Sequence, residues 1–184
     1  MPRRLLMTQT SDESVKPEGY EADFSEAGLF PNVRKSEMRA ADGTPTFIVP
    51  ASELLEVMSH LRDKAGFSLL EDVTAVDWKT EPRFQVVYNM IALARREVLR
   101  IKVNLLGSNP VIPSVTGIWP GSNWYEREVF DLFGITFTGH PDLRRIEMPE
   151  DWEGHPLRKD YPITGPRRPN LPSNQFRPDG RDTN

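Results

Sequence analysis

Two neighbouring runs leave this chain few folds to choose from. From Val98 to Leu105, Leu99, Ile101, Val103 and Leu105 alternate with Arg100, Lys102 and Asn104, the two-residue period of a strand with one dry and one wet face. Phe84 to Leu93, FQVVYNMIAL, is apolar on both phases, as in a central strand covered on both sides. Little more than Ala94-Arg-Arg-Glu separates the runs, so they read as an antiparallel hairpin.

The flanks supply material to cover the dry face. Residues 1–27 carry Lys16, Pro17, Gly19 and scattered acids but few branched apolar residues, and read as a flexible arm. Phe30 to Arg39 is a candidate first strand weakened by Pro31. Thr46-Phe-Ile-Val is a short β-branched run that Pro50 stops. From Ser52 to Lys64, Leu54, Met58, Leu61 and Ala65 recur at three- and four-residue steps and Gly66 follows, the pattern of an amphipathic helix with its stop signal. His60 lies beside that stripe with no ligand type at i ± 4 and reads as a helix-surface residue. Phe67 to Trp78 forms another strand, with Val73, Ala75 and Asp77 on one phase. Thr80-Glu-Pro turns the chain into the hairpin. Gly107 to Gly121, broken by Pro110, Pro113 and Gly117, is a connector with room for an edge strand.

The densest stretch follows. Asn123 and Glu126 make an N-cap and capping-box signature, and Gly134 is a helix-closing residue, which predicts a helix over 124–133. At about 100° per residue, Tyr125, Val129, Phe130, Leu132 and Phe133 share an apolar arc; Trp124, Arg127, Glu128 and Asp131 share the other. Glu126 falls in the middle of the apolar arc, where a carboxylate is costly without a cation or several donors. Arg144, Arg145 and Arg158 are the expected partners; an outward turn at a frayed helix end is the alternative.

Composition narrows the chemistry. With no Cys, the chain has no disulfides, thiolate nucleophiles or thiolate-ligated clusters. A net charge of −4, with acids interleaved among Arg144, Arg145, Arg158 and Lys159, speaks against a nucleic-acid partner and suits a protein interface. No apolar run approaches the roughly 20 residues of a membrane span, and the first seven residues are too short for a signal peptide's apolar region. A cytoplasmic location is expected. His140 and His155, with Asp142, Glu147, Glu150, Asp151 and Glu153, contain metal-ligand types, but not at metal-binding spacing, and each His precedes a Pro as in a turn. A standalone metal-dependent hydrolase built on them is the expectation of a different class.

Together these elements predict an α+β fold: one mainly antiparallel sheet with helices on a face, over 28–139. Beyond Gly139 the texture changes, with five prolines between Pro162 and Pro178 and no apolar periodicity. Residues 140–184 read as an extended, partner-wrapping segment with no core of its own.

WYEREVFDLFGITFTGHPDLRRI followed by DWEGHPLRKDYP, together with VTAVDW at 73–78 and IWPGSNW at 118–124, resembles the C subunit of the NADH–quinone oxidoreductase of respiratory complex I, over about Phe47 to Tyr161. The family signature maps onto Glu126, Arg127, Glu128, Asp131, Gly134, His140, Pro141, Asp142, Arg144 and Arg145, then onto Trp152, Gly154, His155, Pro156, Arg158, Lys159, Asp160 and Tyr161. The resemblance implies a peripheral-arm, hetero-oligomeric subunit with no catalytic, cofactor or metal site of its own. It would dock the quinone-site subunit and the cluster-bearing subunit, touching the membrane only through the complex, on the cytoplasmic side of the inner membrane. The complex as a whole uses NADH, FMN, iron–sulfur clusters and quinone. Some relatives fuse this domain to the quinone-site subunit; this chain resembles the separate form. The equivalent subunit of a membrane-bound hydrogenase, or of a dehydrogenase with another donor, is the near alternative.

Overall fold

The computed structural model describes residues 30–37 and 41–163. The 1–27 arm and residues 164–184 lie outside them. Strands β1 (Arg34–Lys35), β2 (Thr46–Ile48), β3 (Leu69–Asp77), β4 (Phe84–Ala92) and β5 (Glu97–Leu105) form one sheet in the order β1-β2-β5-β4-β3. Every pairing is antiparallel except β2 with β5. That parallel pair arises because helix α1 (Leu54–Asp63) and the β3–β4 hairpin intervene between its two strands. The first strand is much shorter than 30–39, a two-residue edge ending against Phe47 and Ile48.

The β4–β5 hairpin is continuous in register from Phe84↔Leu105 to Ala92↔Glu97. On its dry face Phe84, Val86, Tyr88 and Met90 meet Leu99, Ile101 and Val103, all fully buried. The opposite face is not covered as expected for β4: Gln85, Asn89 and Ile91 are half-buried, and Val87 is screened beside the register partner Lys102. Arg100 and Lys102 stand opposite Asn89 and Val87 on that face, and Arg100 Nε bonds Asn89 Oδ1 at 2.8 Å. Helix α1 buries the expected stripe Leu54, Met58 and Leu61, together with Val57, and Gly66 closes it at φ +74°.

After β5 the connector contains β6 (Val111–Pro113), which pairs in parallel with β7 (Thr136–Thr138) as a separate two-stranded sheet. Between them runs α2 (Ser122–Phe133), packed against β3. Ile112, Ile135 and Phe137 are buried beneath this unit. From His140 to Ile163 there is no helix or strand, yet the backbone is well tied down: this stretch is a strap across the C-terminal half of α2.

Candidate functional site

The signature residues lie on α2 and the strap, and the structure divides them into two groups. The helix does not begin with the predicted cap. Gly121 occupies the N-cap position with no side-chain hydrogen bond, and Asn123 is already inside the helix. Glu126 is therefore not part of a capping box. Its carboxyl is fully buried, as its helical angle requires, but it meets no arginine. Glu126 Oε1 accepts the Val115 N–H at 2.8 Å and the Ser122 hydroxyl at 3.3 Å. Its Oε2 and the buried Tyr88 hydroxyl have no hydrogen-bond partner among the described residues. Burial raises the Glu126 pKa, offset only in part by the nearby polar groups of Ser114, Val115 and Ser122. The expected arginines are engaged elsewhere, because the carboxylate nearest the strap is the one at 131.

Asp131 and Arg127 were placed by periodicity on a charged outer face; both are buried. Asp131 Oδ1 takes Arg145 Nη1, and Asp131 Oδ2 accepts three consecutive amides, Ile146, Glu147 and Met148, at 3.0, 2.8 and 2.8 Å. Burial alone would raise the Asp131 pKa, but these donors outweigh it and the net shift is downward. Arg127 does not pair with Asp131 across one turn. It donates to the Arg144 and Arg145 carbonyls at 3.2 Å each while its guanidinium lies 5.1 Å from the Trp124 ring.

The strap also completes the helix. The last carbonyls of an α-helix have no intrahelical donor; here Phe130 O takes the Gly134 amide and the carbonyls after it find donors on the strap. His155 Nδ1 donates to Asp131 O, the Leu157 amide to Leu132 O, Arg158 Nε to Phe133 O, and Arg158 Nη2 to Gly134 O. A guanidinium at this end also complements the helix dipole. Gly134 sits at φ +71°, and a Cβ there would come within 2.5 Å of both His155 and Arg158. Burial lowers the His155 pKa, with Arg158 and Arg145 adding to the effect, so the ring is neutral at pH 7 and holds its proton on Nδ1.

A second anchor was only hinted at by phase. Asp77, at the end of β3, is buried; it takes Arg83 at 3.0 Å, the Lys79 amide, and the Lys159 amide of the strap at 2.9 Å. Arg83 reaches on to Asp160 at 2.7 Å. Burial would raise the Asp77 pKa, yet the bonds from Arg83, Lys159 and Lys79 hold it at about 2. The Arg83 and Arg158 guanidiniums both lie over the Phe84 ring. Arg83 has no sequence signal beyond its place one residue before β4.

The remaining acidic, Arg and Lys signature residues are exposed. Glu128 is exposed, Asp142 and Arg144 form an exposed pair at 2.8 Å, and Lys159 is exposed with no ion pair among the described residues. His140 Nε2 donates to Asn123 O and its Nδ1 accepts the Asp142 amide, a turn-locking role. No group of three or more His, Asp or Glu among the described residues is placed to hold a metal ion. The arrangement is one of clamps: two buried carboxylates hold the strap, and the strap holds the helix end.

Residues 47–167 match the family described as respiratory-chain NADH dehydrogenase, 30 Kd subunit. The C subunit of NADH-quinone oxidoreductase from Moorella thermoacetica is 46% identical over 133 residues, 72% of this chain and 88% of that one. Its counterpart from Roseiflexus sp. is 50% identical over 124 residues, 66% and 71% of the two chains. Among solved structures, a trypsin-resistant fragment (1–134) of Nqo5 is 33% identical with a TM-score of 0.52, covering 60% of this chain and 88% of the fragment. A chain of the membrane-bound sulfane sulfur reductase, an archaeal respiratory membrane complex, is 27% identical with a TM-score of 0.61, covering 72% and 79%.

Proposed function

Because the chain belongs to the family of the 30 kDa subunit of respiratory-chain NADH dehydrogenase, we propose that it serves that complex as a scaffold with no catalytic group of its own. The chain is a peripheral subunit of a hetero-oligomeric NADH–quinone oxidoreductase; the assembled complex uses NADH, FMN, iron–sulfur clusters and quinone. The observation that carries the scaffold reading is the fate of the signature charges. Arg127, Asp131, Arg145, His155 and Arg158 are engaged in internal bonds that fix the strap, and Glu126 bonds the Val115 amide and Ser122 inside the core. A rigid strap and helix bearing Glu128, Asp142, Arg144 and Lys159 outward is a surface that sets the register of a neighbour.

In this reading the neighbours are the quinone-site subunit and the cluster-bearing subunit, on the cytoplasmic side of the membrane. No helix among the described residues is long and apolar enough to cross a membrane, which is consistent with attachment through other subunits. Residues 140–163 wrap their own helix first. Of the segment 140–184 expected to wrap a partner, residues 164–184 lie outside the described residues, and their part is tested by deletion.

The experiment is native purification on a tag at the N-terminus of this chain. The quinone-site and cluster-bearing subunits should co-elute with NADH:quinone reductase activity, and a 164–184 deletion should lower their yield. Co-elution with a complex that accepts electrons from another donor would favour the second reading, a related respiratory membrane complex, which the likeness to the sulfane sulfur reductase supports. A chain that elutes alone sinks both.

A further inference from the structure

The open face of the sheet carries a cation that no acid among the described residues answers. Leu69, Ile91 and Val98 are register partners across β3, β4 and β5 on this face, and Leu69 and Val98 are each 40% exposed. Four residues further along β5, roughly 13 Å, Lys102 stands between its register partners Val87 on β4 and Ile48 on β2. Val87 is buried and Ile48 half-buried, so the lysine stem has apolar neighbours on both sides. Lys102 is itself half-buried, and its ammonium has no hydrogen bond or ion pair among the described residues. Burial lowers its pKa, and Arg100 adds to the effect.

Charge selects the occupant. The acids of the strands are placed elsewhere: Glu97 takes Arg95 at the hairpin turn, Asp77 takes Arg83 on the buried face, and Glu71 and Asp72 stand on β3, two strands from Lys102. Asp42, from the turn before β2, takes Arg100 at 2.8 Å. What remains beside Lys102 is cationic, with Arg100 two residues away on the same side and Arg34 beyond Ile48 on β1. A half-desolvated, unpaired cation among apolar side chains is costly until a carboxylate meets it, and the bare face of a sheet is completed by a helix layer. We propose that this face is a docking surface for an amphipathic helix of a neighbouring subunit, which lays apolar side chains along Leu69, Ile91 and Val98 and sets a carboxylate on Lys102. At 1.5 Å per residue, the acid and the first apolar contact stand about nine positions apart on that helix. The proposal rests on the subunit reading above and adds the place and chemistry of one contact.

The test uses the assembled complex, purified on a tagged copy of this chain. Val98→p-benzoylphenylalanine, irradiated in the complex, should crosslink to a helical segment of another subunit that carries Asp or Glu. Lys102→Met keeps the apolar stem and removes the charge. It should lower the recovery of the other subunits about tenfold while raising the melting temperature of the purified full chain by about 2–4 °C, and Lys102→Arg should retain wild-type recovery. A lysine with a purely internal role would lose recovery and stability together. Crosslinks that are absent, or confined to lipid, to this chain itself or to a segment without acids, would overturn the proposal, as would undiminished recovery with Lys102→Met or a fall in its melting temperature. Failure of the wild-type tagged chain to recover any other subunit would instead remove the subunit reading, and the docking surface with it.

Discussion

Asp131 and Arg145 close the strap at one carboxylate oxygen while the other oxygen holds the three amides that follow the arginine. One buried side chain thus orders four consecutive residues, because the ion pair fixes the start of a turn whose N–H groups then converge on the same charge.

Asp131→Asn should be destabilising beyond the loss of one ion pair. The amide nitrogen would face N–H donors, and the half-buried Arg145 would lose its counter-charge; removing one partner of a buried pair costs on the order of 3 kcal/mol. For a chain of this size that lowers the melting temperature by about 10 °C. Trypsin cleavage at Arg144, Arg145, Arg158 and Lys159 should accelerate over the same range. An unchanged melting curve and cleavage pattern would show that the strap is held by something else.

Glu126→Gln should reveal a carboxyl that prefers to stay protonated. The folded pKa is raised, so the native state retains a proton that the unfolded state releases, and stability falls as pH rises from the ordinary carboxylate value through the folded one. Glutamine keeps an oxygen for the Val115 amide and carries no charge. The melting temperature of the variant, relative to wild type, should therefore climb across that window and then level off. A difference independent of pH would mean that Glu126 is not ionising in place. Because no arginine is stranded, Glu126→Ala is expected to cost about 1–3 kcal/mol, the desolvation of its lost partners, and not the penalty of an orphaned cation.

At the other anchor the sign is reversed. Asp77 is held at about 2, so its stabilisation is present above the unfolded value near 4 and is lost as pH falls through 2. That is up to about 2 kcal/mol for a side chain with no exposure. Acid titration of wild type and Asp77→Asn should show the two stabilities converging between about pH 4 and pH 2. Parallel curves over that range would refute the assignment.

Gly134→Ala should fail twice, since φ +71° strains any side chain and the new methyl would meet His155 and Arg158. About 2–3 kcal/mol is expected from the backbone and the displaced contacts together. Amide exchange should speed up at Leu157, whose bond to Leu132 O depends on this close approach. Protection of Leu157 equal to that of wild type would contradict it.

The sheet and both helices were legible because their information is periodic. Leu99 to Leu105 and the Leu54–Leu61 stripe repeat at the spacing of the element that carries them, and Glu126 announced its burial by the same rule. Periodicity misread Arg127 and Asp131, because a helix face is apolar only where the neighbour is apolar, and here the neighbour is a strap of amides and carbonyls. It also gave Glu126 the wrong partner: angle shows which way a side chain points, not which loop arrives there. β6 was legible only as room for an edge strand in the connector and β7 not at all, because three-residue strands carry no repeat, and Arg83 was invisible because an arginine before a strand is commonplace. The family signature gave a set of residues without saying that many of them bond one another within the chain.

The Lys159 amide reaches Asp77 from 82 positions further along the chain, and a ribosome makes β3 long before it makes that donor. Until the strap emerges, a nascent chain holds the Asp77 and Asp131 carboxylates without most of the amides that satisfy them, and the end of α2 with open carbonyls. A product that terminates between β7 and Arg145 keeps every strand yet lacks the strap donors of both carboxylates. The strap thus ties late-made backbone to an early-made sheet, so a chain cut short before Arg145 should be degraded faster in cells than the full chain, which a pulse-chase comparison of the two would show.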